Sequence, residues 1–178
     1  MTYLKYIINL FIIFVKRQIY NNTIDSLTNS ISWNSNIYNS AIGKYNYFGP
    51  GTVINDTVIN NYCSIAPHVV IGGMEHDYSN FSTSTKLYSN NKVLTTVIED
   101  DVWIGANAVI KTGLIIGKGS IIGASAVVLN DIPPLSIVVG NPGRVLRSRF
   151  SEKDKIKKYN SIDFSNNPDL IRLNLNEI

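Results

Sequence analysis

A histidine between two carboxylates stands out in the stretch GGMEHDYSNF, residues 72–81. His76 is one of only two histidines in the chain, and a histidine can take up a proton near neutral pH. It suits general base catalysis, in which it removes a proton from a hydroxyl or amine that attacks an electrophile. Glu75 and Asp77 are candidates for orienting the ring, but adjacent side chains in an extended segment diverge, so neither is a firm partner.

The other residues able to do chemistry give weaker signals. His68 lies in a predicted turn outside the core, where a structural or surface role is expected. Cys63 is the only cysteine, which excludes an intramolecular disulfide. It falls two places before Ile65, at an inward position, so we expect a buried thiol and not a nucleophile. A hydratase of the γ-carbonic-anhydrase kind needs three histidine ligands, and the chain has two, so no metal is predicted.

Length and composition indicate one globular domain. The chain has 178 residues, of which 44% are hydrophobic and 16% charged. A net charge of +3 is small for a nucleic-acid-binding protein, so no nucleic-acid partner is predicted. A single cysteine is compatible with a reducing compartment, and a cytoplasmic location is expected.

A six-residue repeat organises the second half of the chain. From Ile98 an aliphatic residue recurs at every sixth position: Ile98, Ile104, Ile110, Ile116, Ile122 and Val128. Small or β-branched residues often stand two places before these aliphatic residues and would point the same way in a strand. Glycine directly follows several of the aliphatic residues, which indicates a turn there. Three such units per coil predict a parallel β-helix in which each strand pairs with the coils above and below.

The repeat extends backwards to Ile31 with two short steps. The steps from Ile37 to Ile42 and from Ile54 to Ile59 have five residues, and they lie 17 residues apart, so they are predicted to stack at one corner. Residues 72–97 interrupt the next coil at that same corner, and His76 lies near the start of this insertion. A long insertion in so regular a repeat usually carries function.

Residues 3–15 form the most apolar run and are followed by Lys16 and Arg17. The run is too short to span a bilayer and lacks a signal-peptide cleavage site. Two interpretations stay open. The segment forms a helix in the membrane interface, with Lys5, Lys16 and Arg17 toward headgroups, or a helix packed on the protein's own body or a neighbouring subunit.

The expected organisation is a single domain in three parts: an N-terminal helical segment at 1–30, a β-helix at 31–147 and a C-terminal helical cap at 148–178. Two helices are predicted in the cap, from Ser151 to about Tyr159 and from Pro168 to about Leu175. The sequence SEKD, residues 151–154, resembles a capping box. A terminal helix is expected to cover the open end of the solenoid, where strand groups are unpaired.

Several motifs carry a resemblance to a known family. They are VWIGANAVI at 102–110, IGASAVV at 122–128, DIPP at 131–134 and GNPGRV at 140–145. With the loop histidine, they resemble the left-handed β-helix acyltransferases of the hexapeptide-repeat family, in particular the branch of xenobiotic and polysaccharide O-acetyltransferases. The resemblance covers roughly residues 31–175. It implies an all-β solenoid with a left-handed coil, a homotrimer with active sites between subunits, and acetyl-CoA as cosubstrate.

The resemblance also implies roles for individual residues. His76 matches the family's general base, and Trp103 matches the outward tryptophan beside the acyl-donor groove. Ala106 and Ala124 match positions whose backbone contacts the pantetheine arm. One 18-residue coil separates them, so they should stack about 4.8 Å apart. Basic residues near the nucleotide phosphates are matched by Arg144 and Arg147.

Two further donor positions depart from the family pattern. Leu129 and Asn130 occupy sites where relatives often place threonine and lysine, so their side-chain contacts with the cosubstrate differ. Asp77, Tyr78 and Phe81 are predicted to bind the acceptor, since aromatic faces among polar groups in the insertion suit a sugar.

The predicted function is O-acetylation of a sugar hydroxyl in a surface polysaccharide or its precursor. Alternatives are N-acetylation of a nucleotide-linked amino sugar, acetylation of a xenobiotic such as an antibiotic, and a non-catalytic trimeric scaffold. Membrane association through residues 3–17 remains open beside the cytoplasmic location.

Overall fold

The computed structural model describes residues 2–19, 22–25, 27–88 and 93–176. The helices are α1 (Thr2–Ile19), α2 (Lys153–Asn160) and α3 (Pro168–Asn176). The strands are β1 (Thr23–Ile24), β2 (Ser30–Ile31), β3 (Asn36–Tyr38), β4 (Ala41–Ile42), β5 (Tyr47–Phe48), β6 (Val53–Asn55), β7 (Thr57–Ile59), β8 (Ser64–Ile65), β9 (Val70–Ile71), β10 (Thr96–Ile98), β11 (Trp103–Ile104), β12 (Val109–Ile110), β13 (Ile115–Ile116), β14 (Ile121–Ile122), β15 (Val127–Val128), β16 (Ser136–Val139) and β17 (Arg144–Ser148).

Three sheets form the faces of a prism. Sheet A has the order β1-β4-β7-β10-β13, sheet B β17-β16-β14-β11-β8-β5-β2, and sheet C β15-β12-β9-β6-β3. All the pairings are parallel except β16 with β17. Each three consecutive strands from β1 to β15 complete one coil, giving five coils, and β16 with the bridge from Ile116 to Ile132 begins a sixth. The predicted parallel β-helix is confirmed.

The hexad aliphatic residues fill the core. All six of those from Ile98 to Val128 have at most 1% exposure. Polar residues two places earlier are also buried, and they bond the backbone of neighbouring coils. For example, Asn46 Nδ2 donates to the Asn60 carbonyl at 2.8 Å, while its Oδ1 accepts from the Cys63 N–H at 2.7 Å. The interior therefore combines aliphatic stacking with satisfied amide ladders.

The solenoid begins earlier than the predicted boundary at residue 31. Ile24 is buried in β1, the first strand of the first coil, and β1 lies within the segment expected to be helical. The step from Ile24 to Ile31 has seven residues, so a search for a six-residue period does not find it.

The two short steps and the insertion share one corner, as predicted. Both short steps join sheet C to sheet A, and so does the loop between β9 and β10. Asn39 and Asp56 make the tight turns there with φ of 47° and 49°, a region that Asn and Asp tolerate. Asn39 Nδ2 donates to Asp56 Oδ1 at 2.7 Å across the two coils. Strand β10 resumes at Thr96, two residues before Ile98, so the loop is slightly shorter than expected.

Helix α1 packs against the first coil. Asn9 Nδ2 donates to the Asn29 carbonyl at 2.7 Å, and its Oδ1 accepts from the Ile31 N–H at 3.1 Å. Ile13 is fully buried in the core cluster. One face of α1 is therefore packed on the protein's own body. The predicted orientations of Lys5, Lys16 and Arg17 lie outside the described side chains.

The C-terminal helices take a different position from the one expected. They pack along the corner between sheets A and B, where Tyr159 and Phe164 contact Leu135 and Tyr62, instead of covering the open end. Strand β17 folds back antiparallel on β16 and occupies that exposed edge. The capping box is also absent from the described N-terminus of α2, since Glu152 is the N-cap and makes no side-chain cap bond.

An ion pair secures this packing. Arg149 donates to Asp101 Oδ2 at 2.8 Å and to the Gly119 carbonyl at 3.0 Å, and the Tyr159 hydroxyl donates to the same carboxylate at 2.7 Å. Burial, and then the bond to Asp101, raise the pKa of Tyr159. Arg149 thus has a structural role at this corner.

Candidate functional site

The loop that carries His76 leaves the solenoid at Gly72. The Gly72 N–H still donates to the Ile110 carbonyl at 3.0 Å, so the coil is regular up to this point. Gly72 has φ +71°, and a Cβ atom there would overlap the carbonyl oxygen of Asn55 in the preceding coil. A glycine is therefore required where the loop departs.

His76 is exposed, and a backbone contact fixes the tautomer of its neutral ring. Its Nδ1 atom lies 2.5 Å from the Thr83 carbonyl oxygen. A carbonyl oxygen only accepts hydrogen bonds, so Nδ1 carries the proton and Nε2 of the neutral ring keeps its lone pair. A base needs a free ring nitrogen of this kind. Thr83 was not found by sequence reasoning, because a backbone carbonyl gives no residue-type signal.

The carboxylates beside His76 shape the loop. Glu75 pairs with Lys111 at 3.4 Å, which ties the start of the loop to the fourth coil. Asp77 Oδ1 accepts from the Ser79 N–H at 2.9 Å and from its hydroxyl at 2.6 Å, which stabilises a turn. The ring contact that the structure gives to His76 is with Thr83, so the orienting group is a backbone carbonyl.

Two grooves flank the start of the loop, and Gly73 and Met74 line both. We call them the upper and lower grooves. The upper groove, of about 360 Å³, lies toward the later coils and is lined by Gly72, Gly73, Met74, Glu75, Val109, Ile110, Lys111, Thr112 and Leu129. The lower groove, of about 490 Å³, lies toward the earlier coils and is lined by Tyr38, Asn39, Asn55, Asp56, Gly73, Met74 and Val93. The loop therefore starts between two grooves, each lined by both polar and apolar groups.

Three of the residues predicted to bind acetyl-CoA lie together on sheet B and at its corner with sheet C. Trp103 faces outward on β11 and is 53% exposed. Ala106 and Ala124 follow β11 and β14 at equivalent places, and the Ser125 N–H donates to the Ala106 carbonyl at 2.8 Å. A Cβ atom at Gly105 would lie 2.5 Å from the Ala124 nitrogen, so the coils touch closely here. Ala106 is half-buried and Ala124 is exposed at this corner.

The remaining donor residues lie elsewhere. Leu129 and Asn130 follow β15 at the corner between sheets C and A, and Leu129 lines the upper groove. Arg144 and Arg147 are exposed on β17, where their guanidinium groups donate to the Gly143 and Ser148 carbonyls. Strand β17 is three strands beyond β11 in sheet B, about 15 Å along the axis.

The predicted acceptor residues do not line either groove in the described chain. Tyr78 and Phe81 are 86% and 103% exposed in the loop, and Asp77 is engaged in the turn. The lower groove, at the start of the loop, contains phenol, amide and carboxylate groups that sequence reasoning missed. The two five-residue steps in the repeat indicated that this corner is irregular, but they did not indicate a binding site there.

Within one chain, the corner that holds Ala106 and Ala124, which we call the donor corner, is separated from the His76 loop. Ala106 and Ala124 lie between sheets B and C, whereas His76 extends from the corner between sheets C and A. Sheet C separates the two corners. A site that uses both sets of residues needs the donor corner of one copy beside the loop of another.

Cys63 is expected to be chemically silent. It is 1% exposed, and burial raises its pKa from 9.0 to about 12, so the thiol is neutral at physiological pH. The native protein should not react with a disulfide reagent at pH 8, whereas the unfolded protein should react fully. Because the folded pKa is the higher one, this group's contribution to stability is complete below pH 9 and is lost between pH 9 and about 12. Rapid labelling of the native protein would contradict burial.

Sequence comparisons place the chain among transferases. The family model described as bacterial transferase hexapeptide (six repeats) matches residues 95–130. A chloramphenicol acetyltransferase from Escherichia coli is 35% identical over 116 residues, which cover 57% of this chain and 55% of that protein. A chloramphenicol acetyltransferase from Agrobacterium fabrum is 31% identical over 145 residues, or 64% and 69% of the two chains. A galactoside O-acetyltransferase from Lactococcus lactis is 33% identical over 135 residues, or 68% and 64%. The chain thus spans about half the length of the first of these relatives, 55%.

Solved structures agree with this assignment. A hexapeptide-repeat acetyltransferase from Vibrio cholerae, complexed with acetyl coenzyme A, has a TM-score of 0.67 and 25% identity over 78% of this chain and 76% of that one. A maltose O-acetyltransferase from Clostridium difficile has a TM-score of 0.64 and 27% identity over 78% and 74%. The likeness confirms the predicted left-handed β-helix. The chain belongs to the hexapeptide-repeat acyltransferase family.

Proposed function

We propose that the chain transfers the acetyl group of acetyl-CoA to a sugar hydroxyl, with His76 as the general base. One observation carries the catalytic role: the Thr83 carbonyl holds the proton on Nδ1, which leaves Nε2 able to accept one. Gly73 and Met74, which precede His76 in the loop, line both grooves, so the loop starts where the two grooves meet.

The reaction needs one proton to move twice. Bound acetyl-CoA supplies an activated thioester. His76 Nε2 takes the proton of the acceptor hydroxyl as its oxygen attacks the thioester carbon, and it then returns that proton to the departing sulfur. Positioned base catalysis of this kind contributes about 10²- to 10⁴-fold. The imidazolium formed in between keeps its bond from Nδ1 to Thr83.

Acetyl-CoA is proposed to bind at the donor corner. The Ala106 and Ala124 column can receive an extended pantetheine arm, with Trp103 beside it. Arg144 and Arg147 lie farther along the same sheet, at a distance that suits the nucleotide phosphates of an extended ligand. The complex of the Vibrio cholerae protein with acetyl coenzyme A supports the choice of donor. The departures at Leu129 and Asn130 replace polar family contacts with an apolar one and an amide.

The acceptor is proposed to bind in the lower groove. Its phenol, amide and carboxylate groups, from Tyr38, Asn39, Asn55 and Asp56, suit a hydroxyl-rich ligand. The similarity to a galactoside O-acetyltransferase and a maltose O-acetyltransferase supports a sugar. A surface polysaccharide or its precursor is the proposed context. Xenobiotic acetylation is the second candidate, favoured by the chloramphenicol acetyltransferases among the relatives.

A homotrimer is part of the proposal, because the donor corner and the His76 loop lie at different corners of one chain. Threefold packing of parallel prisms would bring the corner of one copy beside the loop of the next. Each site would then use residues of two subunits.

The test is a purified-protein assay that follows acetyl-CoA-dependent thiol release with a panel of acceptors. We expect release with neutral sugars such as galactosides and maltosides, confirmed by the mass of the acetylated product. Turnover of chloramphenicol alone would favour xenobiotic acetylation, and turnover of a nucleotide-linked amino sugar alone would favour N-acetylation. A chain that does not bind acetyl-CoA would be a scaffold instead of an enzyme.

A further inference from the structure

Helix α1 presents an apolar stripe to its surroundings. Five large side chains on it are 46–67% exposed: Leu4, Ile7, Ile8, Phe11 and Phe14. Their spacing of three and four residues places them on one face of the helix. Such a contiguous set of exposed aliphatic and aromatic groups marks an interaction surface.

The helix cannot turn this stripe inward. Asn9 is bonded to both Asn29 and Ile31, and Ile13 is buried in the core of the solenoid. Asn9 and Ile13 are four residues apart and lie on the face opposite the stripe. The contacts of Asn9 and Ile13 with the solenoid therefore keep the apolar stripe on the side of α1 that faces away from it.

Charge indicates what covers the stripe. Residues 2–19 include Lys5, Lys16 and Arg17 and no acidic residue, so the segment attracts an anionic surface. Pairing of α1 with a second copy would bring six cations together without a carboxylate from either helix. None of the described helices is long and apolar enough to cross a bilayer. An 18-residue helix is about 27 Å long and can lie flat on one.

We propose that α1 binds the surface of an anionic lipid bilayer, with Leu4, Ile7, Ile8, Phe11 and Phe14 inserted among the lipids. The solenoid then stands with its first coil toward the membrane. The His76 loop leaves the third coil, about 10 Å farther along the axis. Acetylation of a lipid-carried sugar is a consequence that rests on the proposed function, whereas the binding itself does not.

The experiment measures co-sedimentation of the full chain with two kinds of vesicle. One contains phosphatidylcholine alone, and the other contains about 30% phosphatidylglycerol, which makes its surface anionic. We expect binding to the anionic vesicles that weakens with salt. The variant with Phe11→Gln and Phe14→Gln should bind about tenfold less or worse. Leu173→Gln is the matched control, since Leu173 is 59% exposed on α3, and it should bind like the native chain.

Circular dichroism and light scattering accompany each variant. A double variant that keeps the native spectrum and oligomeric state but loses vesicle binding supports the proposal. Equal binding by the double variant, or no binding of the native chain to anionic vesicles, overturns it. A change of oligomeric state without vesicle binding would identify a second copy as the occupant and also overturn it. Acetyl transfer to a soluble acceptor is assayed separately and should be unchanged in the double variant.

Discussion

Replacing His76 with Asn is expected to lower the turnover number at least about 100-fold, because the substitution removes the group that takes up the acceptor proton. Asn presents an amide that can still bond the Thr83 carbonyl, so the loop should keep its shape. Binding of acetyl-CoA should change little, since Trp103, Ala106 and Ala124, proposed to hold the pantetheine arm, lie on sheet B and at its corner with sheet C. Steady-state kinetics and calorimetric titration with acetyl-CoA measure the two effects.

The other histidine provides the control. His68 lies at φ 58°, which Asn also tolerates, and its side chain is exposed at the corner between sheets B and C. His68→Asn should therefore retain near-native turnover and stability. Near-native turnover of His76→Asn would remove His76 from the mechanism. An equal loss in both variants would indicate a general effect of the substitution.

Truncating Phe48 should give the largest loss of stability. Phe48 is the largest side chain of the core and is fully buried in β5, where it is paired with Ile31 and Ile65 of the adjacent coils. Phe48→Ala removes most of an aromatic ring from the second coil, and a regular stack of coils has little freedom to close the gap. The expected cost is about 3–5 kcal/mol of unfolding free energy. Chemical denaturation followed by circular dichroism measures it.

Phe81→Ala is the matched control for this measurement. The Phe81 side chain is fully exposed in the loop, so the same chemical change should alter the unfolding free energy by less than about 0.5 kcal/mol. A small loss at Phe48 would contradict a packed solenoid core. A fall in acetyl transfer at Phe81 without loss of stability would support its predicted contact with the acceptor.

The fold was largely predictable because a β-helix repeats one local rule. The hexad aliphatic residues, the corner with short steps and the departure of the loop all follow from counting. The six-residue spacing did not predict the structure where the spacing itself changes. The seven-residue step before Ile31 hid the first coil, and the C-terminal helices found an aromatic surface around Tyr62 and Leu135 that no periodicity marks.

The site was predictable only in its residue types. Counting residues was enough to place His76 at the start of an insertion and to stack Ala106 on Ala124, because both depend on position within a repeat. The folded chain was needed to show that the Thr83 carbonyl fixes the imidazole tautomer, that Glu75 pairs with Lys111, and that two grooves meet at the loop. These contacts join a loop, backbone groups and separate coils. Their distances depend on how the chain is folded, which residue type alone does not encode.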